Sequence, residues 1–486
     1  MQTSDSPREF KRGLGLLDST MIVVGSMIGS GIFIVSADIA RTVGSPGYLL
    51  LVWLITGAIT VIAALSYGEL AGMMPHAGGQ YVYLREAYNR LVGFLYGWTL
   101  FLVIQTGTIA AVAVAFAKFT AVLVPSLGEQ HILLSAGKFH ISAAQVLAIV
   151  SLVVLTLINL RGLREGKIVQ NIFTITKTAA LLGLILLGIF ITKNADVIAK
   201  NMEGFWQATW THVSEGKIVS VDALSNWMLL AAMGTAMVGS LFASDSWHNI
   251  AFTAGEVINP EKNVARAMAL GTILVTLLYI LANVAYILLL PVVGSPDGAN
   301  EIARGVQFAT SDRVGTAAAS EIFGGASATI MAVLIMISTF GCNNGLILAG
   351  ARVYYAMSKD GLFFEKAGNL NEHSVPGWAL VAQSIWASVL CLSGTYGDLL
   401  DYVIFAVLIF YILTVVGIFV LRKRRPDAPR PYKAFGYPVM PALYVLVASA
   451  ISVDLLIFKP LYTWPGLGIV LLGIPVYFIW RRKQTT

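Results

Sequence analysis

The sequence predicts an all-α, polytopic membrane protein with about twelve transmembrane helices. Its 486 residues are 57% hydrophobic and only 12% charged, whereas soluble domains contain about 25% charged residues. Because about 20 apolar residues cross a bilayer once, twelve spans with short connections fit the length of the chain. The composition excludes an ordinary soluble enzyme and predicts a single membrane domain over residues 1–486.

Twelve apolar runs support this count and give the approximate bounds of the spans. The runs lie near residues 15–40, 48–73, 91–123, 142–160, 168–192, 228–255, 264–292, 326–357, 378–393, 399–421, 439–458 and 463–480. The run at 326–357 is longer than one crossing needs, so we expect it to tilt or to protrude from the bilayer. Three of the connections are long, namely 124–141, 193–227 and 293–325.

The distribution of basic residues predicts the topology. The formal net charge of +6 could indicate nucleic acid binding, but most Lys and Arg residues lie in alternate connections, such as the run LRKRR at 421–425. By the positive-inside rule, those connections and both termini face the cytoplasm. We therefore predict a multi-pass protein of the cell membrane, inner or plasma, which contacts lipid and does not bind nucleic acid.

Other chemistries find no support in the motifs. The six His residues are scattered without an HExxH or Cys/His cluster, and no GxxxxGK[ST] loop or TVGYG filter is present. Both cysteines, Cys342 and Cys391, lie in apolar runs, where packing is the expected role. We therefore expect no metal, no cofactor and no catalytic residue.

Two spans contain Gly- and Ser-rich interruptions in corresponding positions. The first span reads GSMIGSGIF from Gly25 to Phe33, and the sixth reads MVGSLFASDSWHN from Met237 to Asn249. We expect each interruption to open one half of an inverted repeat, near 15–192 and 228–421, with 439–480 as extra spans. Paired interruptions of this kind indicate a transporter site. In the first span, a Gly-xxx-Gly packing face is the alternative.

Unwinding a helix within a membrane determines what the gap can bind. The freed C=O and N–H groups cannot be satisfied by lipid, so a polar group must lie between the half-helices. The positive N-terminal end of a half-helix favours a carboxylate, and the opposing carbonyls favour an ammonium group. A zwitterionic amino acid supplies both groups.

Several ionisable residues lie in or beside the spans. Lys177, in the fifth run, either has a function or extends its ammonium group to the nearby cytoplasmic interface. Asp245, within the second interruption, either caps the following half-helix or binds a cationic group or a proton. We assign Glu69 and Glu256 to capping and loop anchoring, and Asp454 has no assigned role.

Five segments together resemble the motifs of one known family. They are GSMIGSGIF at 25–33, PHAGGQYVYLREAYNRLVGFLYGW at 75–98, FTITK at 173–177, FASDSWHNIAFTAGEVINPEKN at 242–263 and LRKRRPDAPRPYKAFGYP at 421–438. The chain resembles the L-type amino acid transporter family of the amino acid, polyamine and organocation superfamily. The resemblance covers all twelve spans. It implies the leucine-transporter fold, with a 5+5 inverted repeat and discontinuous helices 1 and 6.

The resemblance also implies how an amino acid substrate is held. The backbone N–H groups of Ser30 and Gly31 would bind its carboxylate. The carbonyls of Met27, Phe242 and Asp245 would bind its α-amino group. Phe242 would also close over the substrate as a gate.

Further residues follow from the same resemblance. Trp247 and Phe405 would line the side-chain pocket. Lys177 matches the lysine that replaces sodium between spans 1 and 8 in sodium-independent relatives, and its neighbours would be Gly25 and Ser338. A fixed ammonium group can replace a cation that bridges carbonyls and hydroxyls, so sodium dependence is not expected.

The sequence also departs from the family pattern. The connection at 124–141 lacks a cysteine, so the disulfide that joins animal members to a heavy chain cannot form there. We therefore expect a stand-alone carrier of prokaryotic type. The second interruption carries Ser244, Asp245 and Ser246 where many members carry Tyr, Gly or Asp, and Gly.

Three functional hypotheses follow. The leading one is a sodium-independent exchanger of small or medium neutral amino acids, working by alternating access between a moving bundle of spans 1, 2, 6 and 7 and a scaffold that includes spans 3 and 8. The alternative, motivated by Asp245, is a proton-coupled carrier of cationic amino acids or polyamines. The third is a sensor that binds an amino acid without moving it.

Overall fold

Helices account for nearly all of the membrane-embedded chain. The computed structural model describes residues 10–136, 139–190, 194–214, 216–393 and 396–482. Within these residues, ten helices are long and apolar enough to cross a bilayer. Two shorter apolar helices, Leu16–Met27 and Gly377–Cys391, complete the expected twelve spans. The predicted class, a polytopic helical membrane protein, is confirmed.

We number the spans in chain order. They are Leu16–Met27 with Ser36–Val43 (span 1), Pro46–Met73 (span 2), Arg90–Leu123 (span 3), Ala143–Leu160 (span 4), Leu163–Phe190 (span 5), Asn226–Ala243 with Asn249–Phe252 (span 6), Pro260–Leu289 (span 7), Ser327–Lys359 (span 8), Gly377–Cys391 (span 9), Tyr396–Arg424 (span 10), Val439–Phe458 (span 11) and Pro460–Arg482 (span 12). Span 8 has 33 residues. At 1.5 Å per residue it is about 50 Å long, which is longer than one crossing needs, as expected.

The connections contain secondary structure of their own. Two antiparallel hairpins pair Ile132–Ala136 with Phe139–Ser142 and Thr209–Ser214 with Lys217–Ala223. The short α-helices are Gln80–Ala87, Ala195–Glu203, Glu301–Arg304 and Val314–Phe323. The 3-10 turns are Gly31–Phe33, Pro125–Leu127, Ala254–Glu256, Thr310–Asp312, Gly324–Ala326 and Glu365–Gly368. Our sequence-based prediction contains no strands.

The two ends of the bundle differ in character. We call the end that carries both hairpins the hairpin end. We call the opposite end, where Arg85, Arg352 and Arg422 lie, the basic end. The hairpins are built from short alternating segments with mostly exposed side chains, so they cover the hairpin end without adding to the core.

The expected interruptions are present in spans 1 and 6. The first helix of span 1 ends at Met27, and an irregular segment with a 3-10 turn precedes Ser36. The first helix of span 6 ends at Ala243. The next helix begins at Asn249. The relation of residues 15–192 to residues 228–421 by an inverted repeat stays a prediction.

The spans pack in two main groups. Span 7 packs along span 2 and span 1, and the first helix of span 6 packs against span 2 and the second helix of span 1. On the other side, span 8 packs along spans 3 and 5, and span 9 packs on spans 3 and 4. This grouping brings both interrupted spans against span 8 and places the gaps in the middle of the molecule.

A buried ion pair joins three segments at the basic end. Arg352 of span 8 donates from Nε and Nη2 to the carboxylate of Glu256 at 3.0 and 2.9 Å. Both side chains are at most 2% exposed. The backbone carbonyl of Glu256 accepts from the N–H groups of Gly13 and Leu14 at 2.8 and 3.0 Å. Glu256 therefore anchors the N-terminal segment and span 8 to the connection between spans 6 and 7.

Two further acids are also anchored. The buried carboxylate of Glu69 accepts from Arg422, from Arg430 and from the backbone N–H of Ala434, which fixes the connection after span 10 to span 2. The anchoring role expected for Glu69 is therefore seen in the geometry. Asp454, which had no assigned role, accepts from the Thr235 hydroxyl at 3.2 Å.

Replacing Glu256 with Gln should destabilise the protein by about 3–5 kcal/mol, because Arg352 would keep a buried charge without its partner. The matched control is Glu86→Gln, since Glu86 pairs with Arg85 and Arg425 at a partly exposed surface. Such surface pairs contribute at most about 1 kcal/mol. Melting temperatures of the purified variants check this. Equal melting temperatures for the two variants would contradict it.

Candidate functional site

A buried ammonium group occupies the interruption of span 1. Lys177 of span 5 donates from Nζ to the carbonyls of Gly25 and Ile28, both at 2.6 Å, and to the carbonyl of Ser338 at 3.2 Å. The side chain is 2% exposed. An ammonium group has three N–H donors, so all three are used inside the protein. This geometry does not fit extension of the side chain to the membrane interface.

Span 8 satisfies the neighbouring carbonyls of the same interruption. The hydroxyl of Ser338 lies within donor distance of the carbonyls of Ile28 and Gly29, at 3.1 and 2.9 Å. The thiol of Cys342 donates to the carbonyl of Ser26 at 3.0 Å. The carbonyls released by unwinding are therefore bound from two directions, by span 5 and by span 8.

Two of the expected neighbours of Lys177 are in place, and one more was missed. Gly25 and Ser338 contact the ammonium group, as the resemblance implies. Ile28 was not expected, although it lies three residues after Gly25 and one residue after the helix ends. The alternative of close packing also holds at Gly25, because a Cβ there would lie 1.9 Å from Gln170 Nε2 of span 5.

The interruption of span 6 is held by its own backbone and by span 10. The backbone N–H of Asp245 donates to the carbonyl of Phe242 at 3.1 Å. The carboxyl group of Asp245 accepts from the hydroxyl of Tyr411, whose oxygen lies 2.6 Å from Nδ1 of His248. Neither Tyr411 nor His248 was expected at the site.

The two interruptions touch each other. A Cβ on Gly31 would lie only 2.6 Å from Cβ of Ala243, so the absence of a side chain at Gly31 permits this approach. The hydroxyl of Tyr279 in span 7 lies 3.0 Å from the carbonyl of Met27 and 3.1 Å from that of Ala243. Tyr279 therefore bridges the ends of both half-helices. An isolated Tyr in an apolar run gave no signal of this role.

The expected substrate-binding residues are all buried. Met27, Ser30 and Gly31 lie at the interruption of span 1. Phe242, Asp245 and Trp247 lie at that of span 6, each at most 8% exposed. The structure thus brings both sets of residues to the middle of the bundle. Within the described residues, no three His, Cys, Asp or Glu side chains come together as metal ligands.

Phe405 lies apart from the cavity beside Asp245. It is buried, but the residues of span 10 that line the cavity are Ile404, Val407, Leu408 and Tyr411. These four share one helical face by their spacing of three or four residues. Phe405 lies next to that face.

The cavity itself is small. Its volume is about 20 Å³, enough for about one water molecule. Its walls come from spans 2, 6, 10 and 11, and its polar lining consists of Thr60, Ser244, Asp245, Tyr411 and Tyr444, with Trp247 beside them. This cavity is therefore too small for an amino acid.

Paired unwound helices that meet at mid-depth define a class of membrane protein. Such gaps form the substrate sites of secondary transporters. The comparison with known families agrees: the profile described as "Amino acid permease" matches residues 14–478. This chain therefore belongs to the amino acid permease family.

The relatives of the chain carry consistent names. It is 31% identical to "Large neutral amino acids transporter small subunit 2" of Homo sapiens, over 97% of this chain and 82% of the relative. It is 29% identical to "Serine/threonine exchanger SteT" of Bacillus subtilis (strain 168), over the full length of both proteins. It is also 29% identical to "Asc-type amino acid transporter 1" of Mus musculus, over 97% of this chain and 82% of the relative.

Replacing Ser246 with Gly should stabilise the protein by up to about 1 kcal/mol, because a left-handed backbone strains every residue with a side chain. Ser246 has a φ of 70° in the interruption of span 6. The matched control is Ser244→Gly. Ser244 has a φ of −94°, so its replacement relieves no strain and should lower the melting temperature. A loss of stability in Ser246→Gly equal to that of the control would contradict the prediction.

Proposed function

We propose that this protein exchanges small or medium-sized neutral amino acids across the cell membrane without sodium. Membership of the amino acid permease family supports amino acids as the substrates. The names of three relatives, a large neutral amino acids transporter subunit, a serine/threonine exchanger and an Asc-type transporter, support neutral substrates and exchange.

The observation that carries sodium independence is the position of Lys177. Its ammonium group bonds to the carbonyls of Gly25, Ile28 and Ser338, which link span 1 to spans 5 and 8. A dissociable sodium ion would need the same kind of oxygen ligands to join these spans. Because the ammonium group is covalently attached, the site keeps its cation throughout the transport cycle.

The substrate groups have partners at the two interruptions. The N–H groups of Ser30 and Gly31 bind the carboxylate, favoured by the positive end of the half-helix. The carbonyls of Met27, Phe242 and Asp245 bind the α-amino group. The Met27 carbonyl accepts from Tyr279, and a second lone pair stays available for the substrate. Phe242 closes over the bound amino acid, and Trp247 and Phe405 contribute to the side-chain pocket.

Alternating access moves the bundle of spans 1, 2, 6 and 7 against the scaffold. Tyr279 lies within the bundle and bridges both interruptions, so the substrate site moves as one unit. Lys177 and Ser338 lie outside the bundle and hold span 1, so their bonds cross the boundary of motion. The inverted repeats near 15–192 and 228–421 supply the two halves of this mechanism.

The carrier acts alone in the membrane and has no enzymatic step. The only two cysteines of the sequence, Cys342 and Cys391, are both buried, which argues against a disulfide to a second chain. The excess of Lys and Arg at the basic end favours placing that end, with both termini, in the cytoplasm.

Counterflow in proteoliposomes tests the exchange. Vesicles that contain the purified protein should take up labelled L-serine faster when loaded with unlabelled L-serine, and replacement of sodium by choline should leave the rate unchanged. Equal uptake by loaded and empty vesicles would reject exchange. Binding of L-serine without uptake would favour a sensor, and strong competition by L-arginine that depends on pH would favour the proton-coupled alternative.

The counterflow rate of the Lys177→Ala variant should be at least about tenfold lower than that of the wild-type protein. The reason is that the carbonyls of Gly25 and Ile28 would lose charged hydrogen bonds worth about 1.5–3 kcal/mol each. The matched control is Lys167→Ala, on the same helix. Lys167 pairs with Asp18 at the basic end and is 29% exposed, so this variant should transport normally. Size-exclusion profiles establish that both variants fold. Wild-type counterflow in a folded Lys177→Ala protein would contradict the assigned role.

A further inference from the structure

The carboxyl group of Asp245 is turned toward span 10, where it accepts from the hydroxyl of Tyr411. The cavity that Asp245 lines is formed by spans 2, 6, 10 and 11, and its lining includes no residue of spans 1, 3, 5 or 8. Span 1 instead approaches span 6 at Ala243, where Gly31 faces the Ala243 Cβ. The contact with span 1 and the hydrogen bond of the Asp245 carboxyl group to span 10 therefore involve different residues of the span 6 interruption.

A chain of hydrogen bonds holds the carboxyl group in this orientation. Tyr411 has a single hydroxyl hydrogen, which it donates to Oδ1 of Asp245. With Asp245 ionised, the oxygen of Tyr411 accepts from Nδ1–H of His248, 2.6 Å away. The backbone N–H of Ser246 donates to the same carboxyl group. The hydrogen bonds then run from His248 to Tyr411 to the Asp245 carboxylate.

Aromatic packing keeps Tyr411 in place. Its ring lies 5.8 Å from that of Tyr67 and 5.3 Å from that of Trp247, measured between centroids. His248 packs at 5.0 Å against Phe252 in the next helical turn of span 6. A side chain enclosed in this way has little room to change rotamer, so the donor that it presents to Asp245 is fixed.

Asp245 has no cationic partner among the described residues. None of the ion pairs found in this part of the chain includes its carboxyl group. Two ionisable side chains are linked to its carboxyl group by hydrogen bonds, Tyr411 directly and His248 through Tyr411, and Tyr67 packs on the ring of Tyr411. A carboxylate without a cationic partner in a dry site would attract a cationic substrate side chain if it faced the substrate.

We propose that Tyr411 and His248 set the selectivity of this carrier for neutral over cationic amino acids, by holding the Asp245 carboxyl group on the side of spans 2, 10 and 11. This inference rests on the proposed amino acid transport. Tyr411 and His248 are positioning residues, because they act on the substrate through Asp245.

Competition by L-arginine against counterflow of labelled L-serine tests the proposal. In the wild-type protein, L-arginine should inhibit weakly. In Tyr411→Phe, the carboxyl group loses its donor and becomes available to the substrate site, so L-arginine should inhibit at a concentration at least about tenfold lower, as expected for one charged hydrogen bond. His248→Ala, which removes the donor to Tyr411, should shift inhibition in the same direction.

Two controls isolate the carboxyl group. Tyr444→Phe removes a hydroxyl from the same cavity that is not bonded to Asp245, and it should keep the wild-type selectivity. The double variant Tyr411→Phe with Asp245→Asn should lose the gained inhibition by L-arginine. A purely structural role of Tyr411 would lower serine counterflow without changing the ratio of arginine to serine affinities.

The outcomes separate this inference from the proposed function. Wild-type counterflow with unchanged selectivity in both Tyr411→Phe and His248→Ala would overturn the role of the hydrogen-bond chain and leave exchange intact. Strong inhibition of the wild-type protein by L-arginine would also overturn it. Absence of counterflow with any neutral amino acid in the wild-type protein would reject the proposed function and this inference together.

Discussion

Backbone carbonyls that lose their helical partners inside a membrane must find new donors, and the centre of this protein is organised by that requirement. Each unsatisfied group would cost several kcal/mol in hydrocarbon. The interruption of span 1 releases such carbonyls, and the donors come from Lys177 of span 5 and from Ser338 and Cys342 of span 8. The packing of spans 5 and 8 around span 1 therefore follows from a local defect in one helix.

The same requirement links the two interruptions. The hydroxyl of Tyr279 lies within donor distance of one carbonyl of span 1 and one of span 6, which share its single hydrogen. Gly31 permits this because its lack of a side chain lets the two segments approach. A binding site divided between two helices would lose its geometry if they moved separately. The shared Tyr279 donor joins spans 1 and 6, which is a physical reason for both spans to belong to the same moving bundle.

Much of this arrangement could be predicted from particular residues. A helix that crosses hydrocarbon must be apolar, so the twelve spans are predictable from twelve apolar runs. The Gly-rich interruptions and the charged Lys177 are predictable because they differ from the apolar residues around them. The second hairpin has a signal in the sequence, since TWTHVSEGKIVSVDA alternates β-branched and polar residues around a Gly. Tyr279, Tyr411 and His248 were not predictable, because their partners are 36 to 252 positions away in the chain and depend on tertiary packing. Phe405 shows the related difficulty that neighbouring positions on a helix face different surfaces.

The covalent attachment of the Lys177 ammonium group also affects the energetics of transport. The membrane potential supplies about 2.3 kcal/mol per elementary charge for each 100 mV, but only to charges that cross the field. The ammonium group of Lys177 is bonded to the carbonyls of its own protein and never leaves. It performs no electrical work. A carrier with such a fixed charge takes no energy from a sodium gradient. If it exchanges amino acids as proposed, it changes the composition of the amino acid pools on the two sides and leaves their totals as they were.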